Sequence, residues 1–128
     1  MIIKETQGIS VSVKTKFREK MSDPARRHFF FSYEVTVTNQ SEQPVQLLSR
    51  HWDIFDTNWE FREVEGPGVI GLQPVIQPGQ SFTYESGCNF VSRIGQMKGF
   101  YVMRRMLDNS TLIVDIPAFT MMTPELMN

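Results

Sequence analysis

Apolar and polar residues alternate along most of this chain. Ile9, Val11 and Val13 face one way and Ser10, Ser12, Lys14 and Lys16 the other, which predicts a strand over 9–17 with one buried face. Residues 18–27 are polar and basic and contain Pro24, so they predict a loop. A second strand is predicted over 28–39. Phe29, Phe31, Tyr33, Val35 and Val37 share one of its faces, and Phe30, Ser32, Glu34, Thr36 and Thr38 the other. Asn39-Gln40-Ser41-Glu42-Gln43-Pro44 is a turn cluster. The next strand, 45–56, carries apolar residues on both faces, the pattern expected near the centre of a sandwich. Thr57-Asn58 then predicts a tight hairpin connection into a strand over 59–64.

Gly and Pro punctuate the stretch from Gly66 to Gly79. Beyond it, short strands are predicted over 81–86 and 99–106. Asp108-Asn109-Ser110 turns the chain into a last strand over 111–116, which Pro117 is expected to end because proline cannot donate to a ladder. The Met-rich tail from Thr120 has no period and is expected to dock loosely or to move. No segment keeps a helical period over three turns. The pattern predicts an all-β chain, an immunoglobulin/fibronectin type III-like antiparallel β-sandwich of about seven to eight strands. A small closed barrel is the alternative. At 128 residues, one domain over 1–128 accounts for the chain, with neither repeat nor linker.

Charge and cysteine content narrow the function classes. The net charge of −1, from 13 basic and 14 acidic residues, provides no global field to draw nucleic acid or anionic membrane. The single cysteine, Cys88, excludes a disulfide within the chain and fits a reducing cytosol. Met1-Ile2-Ile3-Lys4-Glu5 opens with neither a signal nor a transit pattern, and no apolar run approaches the ~18 residues that span a bilayer. A cytoplasmic protein is expected.

Several blocks, taken together, carry a family resemblance. They are Val45-Gln46-Leu47-Leu48-Ser49-Arg50-His51-Trp52; Gly66-x-Gly68-Val69-x-Gly71-x-Gln73-Pro74; Pro78-Gly79; Phe82-x-Tyr84-x-Ser86-Gly87-Cys88; Gly95-x-Met97-x-Gly99-x-Tyr101-x-Met103; and Ile116-Pro117-Ala118-Phe119. In this order and spacing the chain resembles the ApaG family over essentially its whole length. The resemblance implies a fibronectin III-like sandwich, in agreement with the strand pattern. It implies no enzymatic activity and no cofactor. It does imply a tie to cobalt and magnesium tolerance, through the family's other name CorD. It also implies use as an interaction module, since similar domains occur within larger eukaryotic adaptor-like proteins. A phosphate or pyrophosphate site in the glycine-rich stretch is a further implication, carried over to Gly66, Gly68 and Gly71.

The residues themselves offer several candidate sites. Gly66-x-Gly68-x-x-Gly71 has the spacing of a dinucleotide fingerprint, which works by handing phosphates to a helix N-terminus. Here Pro74 and Pro78 exclude a useful helix, so a crossover loop between sheets is the leading reading. A nest of backbone N–H groups could still hold a phosphate, with one donor removed by Pro67. His51 and Asp53 project to one face of their strand about 7 Å apart and could supply two ligands to a divalent metal. The alternative is a hydrogen-bonded packing histidine beside Trp52. Arg50 shares a face with Leu48, Trp52 and Ile54, which predicts an ion pair, a bulge or an opening to a surface pocket.

Cys88 lacks a catalytic surround and reads as a structural thiol, and Ser86 lacks a Gly-x-Ser-x-Gly elbow. Lys14, Lys16, Arg18, Lys20, Arg26 and Arg27 read first as protection of a sheet edge and second as a polyanion patch. Phe30 with Met121, Met122 and Met127 suits either adaptable protein contacts or closure of the sandwich ends. The leading expectation is a non-enzymatic protein-interaction module with an unidentified protein partner. The alternative, from another class, is a nucleotide- or pyrophosphate-binding regulatory protein that uses Gly66–Gly71. Edge-rich sandwiches self-pair readily, which leaves a homodimer open.

Overall fold

The computed structural model describes residues 1–57 and 60–127. Among the described residues nine strands run in chain order: β1 (Ile2–Thr6), β2 (Ile9–Phe17), β3 (Phe29–Asn39), β4 (Val45–Asp56), β5 (Glu60–Pro67), β6 (Val75–Ile76), β7 (Ser81–Phe90), β8 (Ile94–Arg105) and β9 (Thr111–Met122). They form two antiparallel sheets. One has the order β1-β2-β3-β7, and the other β5-β4-β8-β9 with β6 attached to β4. Each sheet has free edges, so the molecule is the predicted fibronectin type III-like sandwich and not a closed barrel. Short 3₁₀ turns at Glu19–Met21, Pro24–Arg26 and Pro124–Leu126 are the only helical pieces among the described residues.

The period-2 pattern sets which side chains enter the core. Ile9, Val11 and Val13 of β2 and Phe29, Phe31, Tyr33, Val35 and Val37 of β3 are all buried. They meet Trp52 and Ile54 of β4, Met97, Tyr101 and Met103 of β8, and Leu112, Val114 and Ile116 of β9. Full burial of one such side chain contributes about 1.5–3 kcal/mol. Tyr33, Trp52 and Phe119 form an aromatic knot with ring centroids 5.4–5.9 Å apart.

Two bulges explain where the simple pattern misleads. In β4 the inward positions are Val45 and Leu47, then Trp52 and Ile54, and the register against β8 slips between Leu47 and Ser49. The apolar residues on "both faces" are thus one inward face whose parity changes at the bulge. In β9 the pairing slips opposite Met97–Gly99, and inward positions change from Leu112, Val114 and Ile116 to Phe119 and Met121. Pro117 sits at that slip, where a missing N–H costs nothing, and the strand continues to Met122 instead of ending. The tail is accordingly fixed: Met121 is 1% exposed in the core, and Arg93 pairs with Glu125 beyond it.

Other predicted bounds were short. β7 continues through Ser86-Gly87-Cys88 to Phe90, and β8 begins at Ile94. β1 and the two-residue β6 were missed. The predicted hairpin is present as the β4–β5 pair, with Asp56 opposite Glu60. Its connection at Asn58 and the predicted start at Trp59 lie outside the described residues. β2 is flanked by β1 up to Val13, so Lys14 and Lys16 guard an open edge only beyond that point. Among the described residues, no helix is long and apolar enough to cross a membrane.

Candidate functional site

The glycine-rich stretch folds as the end of β5 followed by a tight turn. Val69 and Leu72 exchange both backbone hydrogen bonds at 2.8 Å, and the two residues between them, Ile70 and Gly71, have φ of 43° and 79°. Positive φ at both central positions is the type I′ hairpin geometry. The three glycines serve three different local needs. A Cβ on Gly66 would lie 3.0–3.3 Å from the Arg50 guanidinium, and one on Gly68 would lie 2.0 Å from the Leu72 carbonyl oxygen, whereas Gly71 faces open space. The N–H of Gly68 donates to Leu48, and those of Val69 and Leu72 are used within the turn. The loop therefore turns carbonyls, not amides, toward its charged neighbour: Arg50 Nη1 donates to the oxygens of Pro67 at 3.1 Å and Gly68 at 2.9 Å.

Arg50 is where the sequence posed a choice, and the structure combines two of its answers. The β4 bulge immediately precedes it, and its inward-facing side chain opens into a cleft. No carboxylate lies within ion-pair distance of it among the described residues. The cleft is a cavity of about 410 Å³ between β5 and β7, the adjacent free edges of the two sheets. Arg50 and Arg62 line it, with Trp52 and Val64 between them, and Ser86, Cys88 and Asn89 of β7 form the opposite wall. Arg62 also lacks a carboxylate partner among the described residues. Its Nη2 donates to the Asn89 carbonyl at 2.7 Å and to Cys88 Sγ at 3.1 Å.

Burial favours the neutral form of the tyrosines and the thiol at and behind this cleft. Burial raises the Tyr33 hydroxyl despite its hydrogen bond with Ser86. Burial likewise raises Tyr84 and Tyr101, whose hydroxyls bond each other; the nearby Arg50 charge only partly offsets this. Burial also pushes the Cys88 thiol up, against the pull of the Arg62 charge. Cys88 is therefore a protonated thiol tied to a guanidinium, the opposite of an activated nucleophile. His51 lies on the other face of β4 and His28 is exposed in the β2–β3 loop, so neither serves Cys88 as a base.

The second candidate lies on the outer face of the five-stranded sheet. Register places His51 opposite Glu65 and Asp53 opposite Glu63, so the predicted His51/Asp53 pair gains two carboxylates from β5. His51 Nε2 is 2.9 Å from Asp53 Oδ1, and its Nδ1 is 2.6 Å from Glu65 Oε1. Its ring stacks on Phe100 at 4.9 Å. The hydrogen bond to Asp53 raises its pKa; burial opposes this, and Glu65 adds to it. Single atoms of His51, Glu63 and Glu65 come within 4.8 Å of one another.

The remaining candidates divide. Of the basic cluster, Arg18 bonds Ser32 at 2.7 Å and pairs with Glu85, and Arg26 pairs with Asp23, so part of its charge is spent inside the fold. Phe30 lies over Gly87, within 2.2 Å of where a Cβ would stand there. Sequence reasoning missed Arg62, Glu63 and Glu65. The signal was present in the alternation of 60–65, but the face of each residue follows only from pairing register with β4.

Comparison with known proteins accords with this geometry. The ApaG domain family model matches residues 19–105. A protein from Methylobacterium radiotolerans named Protein ApaG is 44% identical over 120 residues, covering 94% of this chain and 92% of its own. Its namesake from Brucella anthropi is equally similar, at 44% over 120 residues with the same coverage. Among solved structures, an ApaA protein from Bordetella pertussis superposes with a TM-score of 0.88 at 37% identity, over 91% of this chain and 94% of that one. A Bacteroides uniformis β-glucuronidase shares the sandwich alone, with a TM-score of 0.52 at 8% identity over 88% of this chain and 13% of the enzyme. With a family model spanning most of its length and relatives at such identity, the chain belongs to the ApaG domain family.

Proposed function

We propose that this chain is a non-catalytic binding module that works through contact with another protein. The observation that supports it is the mouth between the β5 and β7 edges. There two guanidiniums without carboxylate partners among the described residues line a cavity of about 410 Å³ beside an open strand edge. Open edges invite pairing, and unpaired arginines are typical anchors of protein interfaces. Affinity capture with the purified chain should recover a stoichiometric partner. The exposed Arg62→Glu variant, which reverses one charge of the mouth, should lose it. Equal recovery by both would move the interface elsewhere, and recovery of nothing under any growth condition, including cobalt or magnesium stress, counts against the reading.

A second reading places a divalent cation at His51, Glu63 and Glu65, with Asp53 beside them, because their ligand atoms converge within 4.8 Å. An imidazole with carboxylates suits cobalt, nickel or zinc, and is a poor set for magnesium, which prefers oxygen ligands and water. Binding requires an imidazole nitrogen to release its carboxylate partner. Cobalt should raise the melting temperature of the wild type and leave His51→Ala unmoved. A flat melting temperature in the wild type sinks this reading. The phosphate reading on Gly66, Gly68 and Gly71 finds less support, since the loop amides of Gly68, Val69 and Leu72 are already bonded. Calorimetry with pyrophosphate and ATP tests it directly.

A further inference from the structure

The reading of the chain as a protein-contact module carries a more specific one. We propose that the β5–β7 mouth receives an extended acidic segment of a partner protein, added as a strand to the free edge of β7. Two carboxylates four residues apart in that segment meet Arg50 and Arg62.

The β7 edge is the first support. β3 pairs β7 along one side only. Apart from that pairing, among the described residues, the hydrogen bonds onto the backbone of Ser81–Asn89 end on one atom, the Asn89 carbonyl, which accepts from Arg62 and from the Cys88 thiol. Edges are ordinarily blunted with lysine or proline. β7 contains neither, and its single charged residue, Glu85, is engaged by Arg18 on the outer face.

Charge and spacing supply the occupant. Among the described residues, Arg50 uses only Nη1 on the chain's own carbonyls, and Arg62 only Nη2 on its own acceptors. Each guanidinium keeps N–H groups for a carboxylate. In the β4–β5 register Arg50 stands opposite Gly66 and Ile54 opposite Arg62, so the two arginines are anchored four residues apart along the strands. At ~3.3 Å per residue that is about 13 Å. An extended segment places its i and i+4 side chains on one face at the same separation. The intervening i+2 side chain meets Trp52 and Val64, which calls for an apolar residue.

The test uses the full chain and a fluorescent synthetic peptide with two glutamates four positions apart and a valine midway. Anisotropy should show saturable, salt-sensitive binding. Affinity should fall about tenfold or more with Arg62→Gln, and equally with a peptide carrying lysines for the glutamates. Arg62 is exposed, so that variant keeps the fold; Arg50→Gln, which also frees two loop carbonyls, is read only alongside a melting curve. N-methylation of alternate peptide amides separates strand addition from charge attraction. One alternate set should abolish binding and the other should spare it. Amide exchange should slow on β7 between Ser86 and Asn89. Indifference to N-methylation, indifference to Arg62→Gln, no binding, or pyrophosphate occupying the cleft in the peptide's place would each overturn the proposal. Should the peptide fail while a captured partner is still lost with Arg62→Glu, strand addition falls and the protein-contact reading stands. Should both fail, neither stands.

Discussion

Ile70 and Gly71 occupy the two positive-φ positions of a type I′ turn, and only one of them is suited to it. A β-branched residue at φ 43° is strained by its Cβ against the following carbonyl, by about 1–2 kcal/mol. Ile70 is also 56% exposed, so its side chain recovers little by packing. Asn tolerates this region, and Asn-Gly is the preferred pair for the turn. Ile70→Asn is therefore expected to raise stability by about 1 kcal/mol in urea denaturation. The neighbouring glycines should separate sharply. Gly68→Ala combines φ of 60° with a methyl 2.0 Å from the Leu72 oxygen, and is expected to cost about 3 kcal/mol or more. Gly71→Ala meets only the backbone penalty at φ 79° and should cost about 1 kcal/mol. Equal losses at the two positions would refute the account of the loop as a turn locked onto Leu72. The contrast matters for function, because a glycine held by its own fold is no evidence of a ligand.

At the scale of the strands, buried polar side chains decide how elements meet. Asn39, fully buried at the end of β3, donates to the carbonyls of Ile76 and Gln43 at 2.9 Å, and accepts from the Ser41 N–H and hydroxyl. It fastens β3, the following turn and the short β6 at one point. Asn39→Ala takes the Nδ2 donor from the Ile76 carbonyl and the acceptor from the Ser41 N–H, while the Gln43 carbonyl keeps the Ser41 hydroxyl, and it is expected to cost about 3 kcal/mol, with a matching drop in melting temperature. A loss near that of an ordinary surface substitution would show that water satisfies the site. The turn cluster was visible in the sequence, but the tie to β6 was not, since the partner lies 37 residues away. The same distinction runs through the other strands. β2 and β3 were legible because one face is buried and the other is not, which is what alternation reports. β7, β8 and β9 were cut short because glycine and proline were taken as punctuation. Gly99 is instead a close approach, where a Cβ would lie 2.0 Å from the His51 carbonyl, and Pro117 marks a bulge. Of the candidate sites, His51 and Asp53 were legible as a pair on one face of one strand. The cleft was half visible, through the misfit of Arg50 on an inward face, while Arg62 required the register of a second strand.

Across the whole molecule, all three tyrosines of the chain point into one core: Tyr33, Tyr84 and Tyr101 are at most 5% exposed. Burial raises each hydroxyl above its ordinary value of about 10, and the Arg50 charge at the mouth of the cleft only partly opposes this. The sign of the linkage follows. Above pH ~10 the unfolded chain releases tyrosine protons that the folded chain retains, so the unfolded state binds fewer protons and stability falls as pH rises. The stability contributed by neutral burial is intact below the unfolded value and is lost as pH climbs toward the raised folded values. Cys88 acts in the same direction from a lower starting point, its thiol also raised by burial. A spectrophotometric titration of tyrosinate should therefore show none of the three ionising near pH 10 while circular dichroism reports a folded sandwich. Tyrosinate should appear only together with alkaline unfolding, in one cooperative step. A reversible titration of even one tyrosine near pH 10 in the folded protein would mean that water reaches that hydroxyl inside the folded sandwich; for Tyr33 the route would be the cleft it lines.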